Sequence, residues 1–241
     1  MPSRIANESL SLPIYLDYQA STPLDDRVEK VMMDCYHEYA GNPHSNTHRF
    51  GHRSRRRIEE GQAHVANLIN AQPHEIIFTS GATEANNLAL LGVARACKGP
   101  RHIISVQTEH ESILQPLEHL AEQEDIAVTL LPVDRNGVID SEELTSAIRP
   151  ETILISVMAA NNETGVCQDL SAIGQICKKQ DILFHTDAVQ ALATEAIDVA
   201  KKDISLLSLS GHKLYGPMGS GALFVREGTE IAPLLFGGAQ Q

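Results

Sequence analysis

The sequence predicts an α/β fold, a mostly parallel sheet covered by helices on both faces. Three observations carry that expectation. Seven short apolar runs rich in β-branched residues recur along the chain. Segments with apolar residues at helical spacing lie between most of them. Such alternation marks crossover units, whose parallel strands are buried on both faces. With 241 residues the chain can also close one large core, burying roughly 70–75% of its unfolded surface.

Taken in order, residues 1–13 are polar and irregular. The stretch 1–24 reads as an N-terminal arm ahead of one large domain over 25–241. Within the arm, Ile14–Leu16 is a short strand candidate and Asp17–Pro23 a turn-rich loop. From Asp25 to Tyr39, Val28, Val31, Met32, Cys35 and Tyr36 repeat at helical spacing, until Gly41, Asn42 and Pro43 stop the helix. A second helix is expected from Phe50 to Asn70, with Ile58, Val65, Leu68 and Ile69 turned inward. Strands follow at Glu75–Thr79, His102–Val106, Ala127–Leu131, Ile153–Met158, Ile182–His185, Ile204–Leu209 and Ala222–Val225. Helices fit at Thr83–Cys97, Ser112–Glu124, Asp140–Ile148 and Leu170–Lys179. Ser112 with Gln115 and Asp140 with Glu143 offer capping boxes, and Asn136-Gly137 a turn.

Composition excludes several function classes. A formal net charge of −12 lacks the positive field that binding a nucleic-acid backbone requires, so no nucleic-acid partner is expected. No apolar run approaches the ~20 residues of a membrane helix, so no membrane partner is expected. The opening MPSRIANESL has neither a hydrophobic signal core nor an arginine-rich amphipathic pattern, which makes the cytoplasm the default setting. Cys35, Cys97, Cys167 and Cys177 are far apart without a CxxC pair, and read as reduced, mostly buried thiols. His44, His48 and His52 are spaced like a helical metal row, but Gly51 interrupts it and no acid completes it; no metal site is expected. The basic run Arg53, Arg55, Arg56, Arg57 reads as a solvated helix face, with Arg55–Glu59 and Arg56–Glu60 as i,i+4 pairs.

In an open parallel sheet, ligands bind at the carboxyl ends of the strands. Five such ends carry chemistry. Ser80-Gly81-Ala82-Thr83 enters a helix with free backbone N–H groups, suited to a phosphate, although a simple N-cap turn has the same pattern. His110 follows the second strand, where an imidazole can stack on a flat ring and move protons. Asn161 and Asn162 follow the fourth and offer amide donors, or simply a polar turn. Asp187 ends a buried run and needs a cation to offset its desolvation. Lys213 closes the next strand, ahead of the glycine-rich Gly216, Pro217, Gly219 and Gly221. An acid on one strand and a lysine on its successor are what pyridoxal 5′-phosphate needs: the lysine forms a Schiff base, and the acid keeps the pyridine nitrogen protonated.

The segments YLDYQASTP, GNPHSNTHRFG, IIFTSGATEANNLAL, TEHESIL, NNETGVCQDL, FHTDAVQ and SGHKLYGPMGSGAL resemble the class V, fold type I pyridoxal-phosphate enzymes, and the cysteine desulfurases of iron–sulfur cluster assembly most closely. They run from Ile14 to Phe236. The resemblance implies a three-layer fold type I large domain with a mostly parallel mixed sheet. It also implies Lys213 as the Schiff-base lysine, Asp187 at the pyridine nitrogen, and His110 stacked on the ring as an acid/base candidate. Ala82, Thr83, Ser210 and His212 would hold the phosphate, with Asn162 and Gln190 on the ring substituents. The implied reaction moves sulfur from L-cysteine to a protein persulfide and leaves L-alanine. The implied partners are a sulfur-acceptor protein such as an iron–sulfur scaffold and a second subunit in a homodimer.

The family pattern continues beyond Gln241 into a catalytic-cysteine loop and a small domain. The expectation is therefore of a C-terminally truncated or split enzyme, which would pair with its missing half. A cofactor-binding homologue without turnover, a selenocysteine lyase and a class V aminotransferase are the alternatives. None of the four cysteines matches the family's catalytic position, and Cys167 reads as a small buried residue.

Overall fold

The computed structural model describes residues 13–124 and 126–237; the expected polar stretch 1–12 lies outside them. Six α-helices are found among these residues: α1 (Asp26–Glu38), α2 (Arg49–Ile69), α3 (Ala82–Ala96), α4 (Glu111–Gln123), α5 (Ser141–Ala147) and α6 (Leu170–Lys179). Seven strands, β1 (Ile76–Thr79), β2 (His102–Val106), β3 (Ala127–Leu131), β4 (Thr152–Ser156), β5 (Leu183–Asp187), β6 (Leu206–Ser210) and β7 (Gly221–Val225), form one sheet in the order β1-β7-β6-β5-β4-β2-β3. Only β7 runs against the rest, antiparallel to both β1 and β6. The reason is the length of its connection. Residues 211–220 are too few for the crossover that a parallel neighbour needs.

Strand alternation splits the core into two layers. Ile103, Leu154, Leu206 and Leu223 face α3 and α4, packing with Leu90, Ile113 and Leu117. Their neighbours Ile104, Ile155, Leu207 and Phe224 face the opposite side, with Ile69 of α2, Leu144 of α5 and Ile173 of α6. Both faces being covered, the strands read as continuous apolar runs, and the domain is the expected three-layer α/β mixed sheet. Among the described residues, no helix is long and apolar enough to cross a membrane.

One row of the α3-facing layer is polar. His185 lies between Ser156 Oγ (2.9 Å from Nδ1) and Ser208 Oγ (3.0 Å from Nε2), and Ser105 Oγ donates to the Ser156 carbonyl at 2.8 Å. All four residues are fully buried, and burial lowers the His185 imidazole to about 3, so it is neutral. The row lies one pleat below Asp187, which shares its face of β5.

Several local expectations are corrected. Ile14–Leu16 is not a strand; among the described residues it has no pairing partner, and it stays exposed. Helix α4 is not capped by Ser112 with Gln115. His110 is its N-cap, and Gln115 bonds Glu111 instead. Asp140 does cap α5, accepting from the N–H groups of Glu142 and Glu143. On α2 the observed pair is Arg57–Glu60 at 3.0 Å, while Arg55 donates to the Pro43 carbonyl, because the chain leaving α1 folds back over that face. His48 is an N-cap, its Nδ1 accepting from Gly51 N. The thiols are not mostly buried. Cys177 is buried, Cys35 and Cys97 are half-buried, and Cys167 is exposed on the loop after β4.

Candidate active site

Because β1, β2, β4, β5 and β6 run the same way, their carboxyl ends open onto one edge of the sheet. There a cavity of about 770 Å³ is lined by all nine candidates: Ala82, Thr83, His110, Asn162, Asp187, Gln190, Ser210, His212 and Lys213. Residues up to 131 positions apart meet because each lies at or just past the end of a strand whose register the sheet fixes.

One wall is the N-terminus of α3. Its N-cap, Gly81, supplies no side-chain bond, and Glu84 turns back to bond Ser80 N and Oγ at 2.7 and 2.6 Å. The N–H groups of Ala82 and Thr83 therefore face the cavity at the positive end of a four-turn helix. The approach of β7 holds this turn in place. A Cβ on Gly221 would come within 2.6 Å of Gly81 Cα, so only glycine allows the contact. Beside it, Ser210 Oγ lies 2.8 Å from His212 Nδ1, and burial lowers the His212 pKa.

The floor is Asp187, 6% exposed. Burial raises its pKa, opposed by bonds from Asn86 Nδ2 (2.8 Å) and Val189 N (3.0 Å) and by the charges of His110 and Lys213. Among the described residues it has no ion-pair partner within 4 Å. Glu109 is also buried. Its Oε1 accepts from Met158 N at 2.6 Å, and Oε2 has no partner. Burial, with Asp187 nearby, pushes Glu109 well above the usual carboxylate range.

Lys213 comes in from the short 3₁₀ turn after β6, half-buried, and its Nζ donates to the carbonyls of Gln19 and Ala20. Burial lowers its pKa, while Asp17 and Asp187 pull it back up. The loop that holds it is fastened to the segment before α1. Thr22 N and Oγ1 both donate to the His212 carbonyl, and Thr22 Oγ1 accepts from Tyr215 N at 2.8 Å. These bonds hold Tyr215 at φ 58°, a left-handed conformation costing about 1 kcal/mol or more. Gln190 Nε2 donates to the Gln19 carbonyl at 3.0 Å, and Asn162 Nδ2 to Glu163 at 2.8 Å.

The side-chain pattern assigns no role at the site to Asp17, Gln19, Ala20, Asn86, Ser112 or Met158, all of which line the cavity or bond to its lining. The motif DYQASTP was in view, but its carbonyls act through the backbone, which no side-chain pattern reveals.

The site fits pyridoxal phosphate on three structural grounds. An open helix N-terminus suits the phosphate, a buried carboxylate without a cation suits the protonated ring nitrogen, and a lysine lines the same cavity. When bound, that cofactor supplies an electron sink for negative charge developing on a substrate carbon.

Comparison with known proteins points the same way. The chain is 49% identical over 236 residues to the cysteine desulfurase IscS of Rickettsia bellii, covering 97% of this chain and 57% of that one. It is 52% identical over 232 residues to the mitochondrial cysteine desulfurase of Saccharomyces cerevisiae, covering 95% and 46%. The chain thus spans about half the length of the curated relatives it matches. Among solved structures, SspA in complex with cysteine superposes with a TM-score of 0.89 at 39% identity, covering 94% of this chain and 65% of that one. A NifS-like protein gives 0.88 at 38%, covering 92% and 61%. The aminotransferase class-V family model matches residues 14–241, so the chain belongs to that family of pyridoxal-phosphate-dependent proteins.

Proposed function

We propose that this chain carries the cofactor site of a cysteine desulfurase, taking sulfur from L-cysteine and leaving L-alanine. The observation that carries the reading is the meeting of an open helix N-terminus, a buried Asp187 and Lys213 around one cavity. The names of the most similar relatives choose this chemistry over that of a selenocysteine lyase or an aminotransferase.

In this reading Lys213 is the attachment amine, made more nucleophilic at neutral pH by the burial that lowers its pKa. Asp187 is the counter-charge beneath the ring, kept in place by Asn86 and Val189. Ala82, Thr83, Ser210 and His212 hold the phosphate, Asn162 and Gln190 meet the ring substituents, and His110 covers the ring. The segment 1–24 serves as an arm whose carbonyls hold the lysine until the cofactor arrives, and 25–241 as the cofactor domain. Partners in this proposal are a sulfur-acceptor protein and a second subunit, in a cytoplasmic setting. Cys167 is the one exposed thiol, on a strand bridge with Ala160, which lines the cavity.

The test is to add pyridoxal phosphate and then L-cysteine to the purified chain. A visible absorbance band of covalently attached cofactor is expected, absent in Lys213→Ala and weakened in Asp187→Asn, with a spectral change on adding cysteine. A chain that binds no cofactor, or binds it equally well without Lys213, sinks the proposal.

A further inference from the structure

His110 has two ring nitrogens, and the structure already uses one. As N-cap of α4 its Nδ1 accepts the backbone N–H of Ser112 at 3.1 Å. A backbone N–H can only donate, so this long bond favours a lone pair on Nδ1 without by itself fixing it there. The Ser112 hydroxyl lies 2.8 Å from the same nitrogen.

That hydroxyl is oriented from behind. Asn86 Nδ2 donates to Asp187 Oδ2 and to Ser112 Oγ, both at 2.8 Å. A carboxylate only accepts, which turns the NH2 end of the amide toward both. Having accepted from Asn86, Ser112 Oγ has its own hydrogen left to give, and Nδ1 is the acceptor in reach. Every bond in the chain from Asp187's neighbour to the imidazole runs toward Nδ1, so the ring hydrogen belongs on Nε2. Asn86 and Ser112 are 0% and 7% exposed, out of reach of competing water. His110 itself is exposed and lines the cavity, and no described residue bonds Nε2.

We propose that Ser112, backed by Asn86, is a positioning residue that locks His110 in the Nε2–H tautomer, so that the imidazole meets the cavity's occupant as a hydrogen-bond donor and not as a base. The tautomer stands on the geometry alone; its meaning for substrate rests on the proposed function. A neutral imidazole with hydrogen on Nε2 has no lone pair to offer the cavity. Removal of a substrate proton then falls to Lys213, and His110 orients and polarises an oxygen or sulfur of what is bound.

The test is nitrogen NMR of the chain labelled at histidine ring nitrogens, at a pH where His110 is neutral, with His110→Gln to assign its signals. Limiting shifts are expected, Nδ1 as an unprotonated and Nε2 as a protonated nitrogen, with more than about nine-tenths of one tautomer. In Ser112→Ala, which keeps the backbone cap, both signals should move toward a mixed average. A protonated Nδ1 or averaged signals in the unaltered chain, or a Ser112→Ala spectrum identical to the parent, would overturn the proposal. Exchange of the α-hydrogen of L-cysteine in the cofactor-loaded chain adds a second reading. His110→Gln, whose amide still donates, should retain at least about tenfold more exchange than His110→Ala, whereas equal losses in the two variants would make His110 the base. If the unaltered chain shows no exchange at all, the proposed function fails, and the NMR spectra still decide the tautomer.

Discussion

Two cavities of nearly equal volume are made of opposite materials. The one at the strand ends, about 770 Å³, is lined by carboxylates, imidazoles, a lysine and free helix N–H groups. The other, about 760 Å³ between α1 and α2, is lined largely by apolar side chains, including Val31, Met32, Tyr36, Ile58 and Phe78. The difference lies in what holds each lining. At the strand ends every group hangs from backbone that the sheet or a helix cap has already fixed, so polar atoms stay aimed without water. The groove is built mainly from side chains of two helices, and α1 buries none of its thirteen residues, whereas α3 buries eight of fifteen. Chemistry collects where backbone is immobilised; an amphipathic pattern alone marks only where a helix could pack.

The largest effect expected from breaking this contrast is at Lys213. Lys213→Ala should slow exchange of the α-hydrogen of L-cysteine by the cofactor-loaded chain by at least about a thousandfold, while costing the cofactor-free fold only about 1 kcal/mol, the worth of its bonds to Gln19 and Ala20. Kinetics set against thermal melting would show it. A collapse of the fold would mean that the lysine is structural.

The next largest concerns acid. His185 is held neutral with its pKa lowered to about 3, whereas the unfolded chain takes up a proton near 6.5. Its contribution is therefore complete above about pH 6.5 and lost as pH falls toward 3, on the order of 5 kcal/mol in all. Asp187 and Glu109 have the opposite sign. Raised by burial, they weaken the cofactor-free fold as pH climbs from the ordinary carboxylate range toward neutrality. Denaturant melts across pH should show both slopes, the acid one flattened in His185→Asn, which retains an acceptor for Ser156.

Smaller still is the response of the core around α3. Leu90 is fully buried, and Leu90→Ala should cost about 3 kcal/mol by leaving a cavity. On α1, Tyr36 is 75% exposed, so Tyr36→Ser should change stability by less than about 0.5 kcal/mol despite its place in the same kind of apolar stripe. Equal losses from the two substitutions would erase the contrast between the helices.

Much of this was legible in the sequence because the local and global signals agree. The alternation of apolar strands with capped helices predicts the layers, and the parallel arrangement marks the strand ends at which Ala82, Thr83, His110, Asn162, Asp187 and Lys213 stand, whereas Gln190, Ser210 and His212 are assigned only through the family resemblance. Legibility failed where the cause was not a side-chain pattern. Ile14–Leu16 has strand composition without a partner, and the i,i+4 arginine pairs on α2 yielded to the chain folding back from α1. Cys167 looked like a small core residue, but its loop carries it to the surface.

By itself the sequence determined which groups exist and where along each strand they fall, since hydrophobic period and turn residues act over a few positions. Only the tertiary structure decided what those groups do to one another. It turned the Gln19 and Ala20 carbonyls onto Lys213, buried Asp187 beside Glu109 so that both carboxyl pKa values rise, and ran one line of hydrogen bonds from Asp187 through Asn86 and Ser112 to His110. Charge state, tautomer and direction depend on burial and on distances between residues remote in the chain, and these come into being only when the sheet closes.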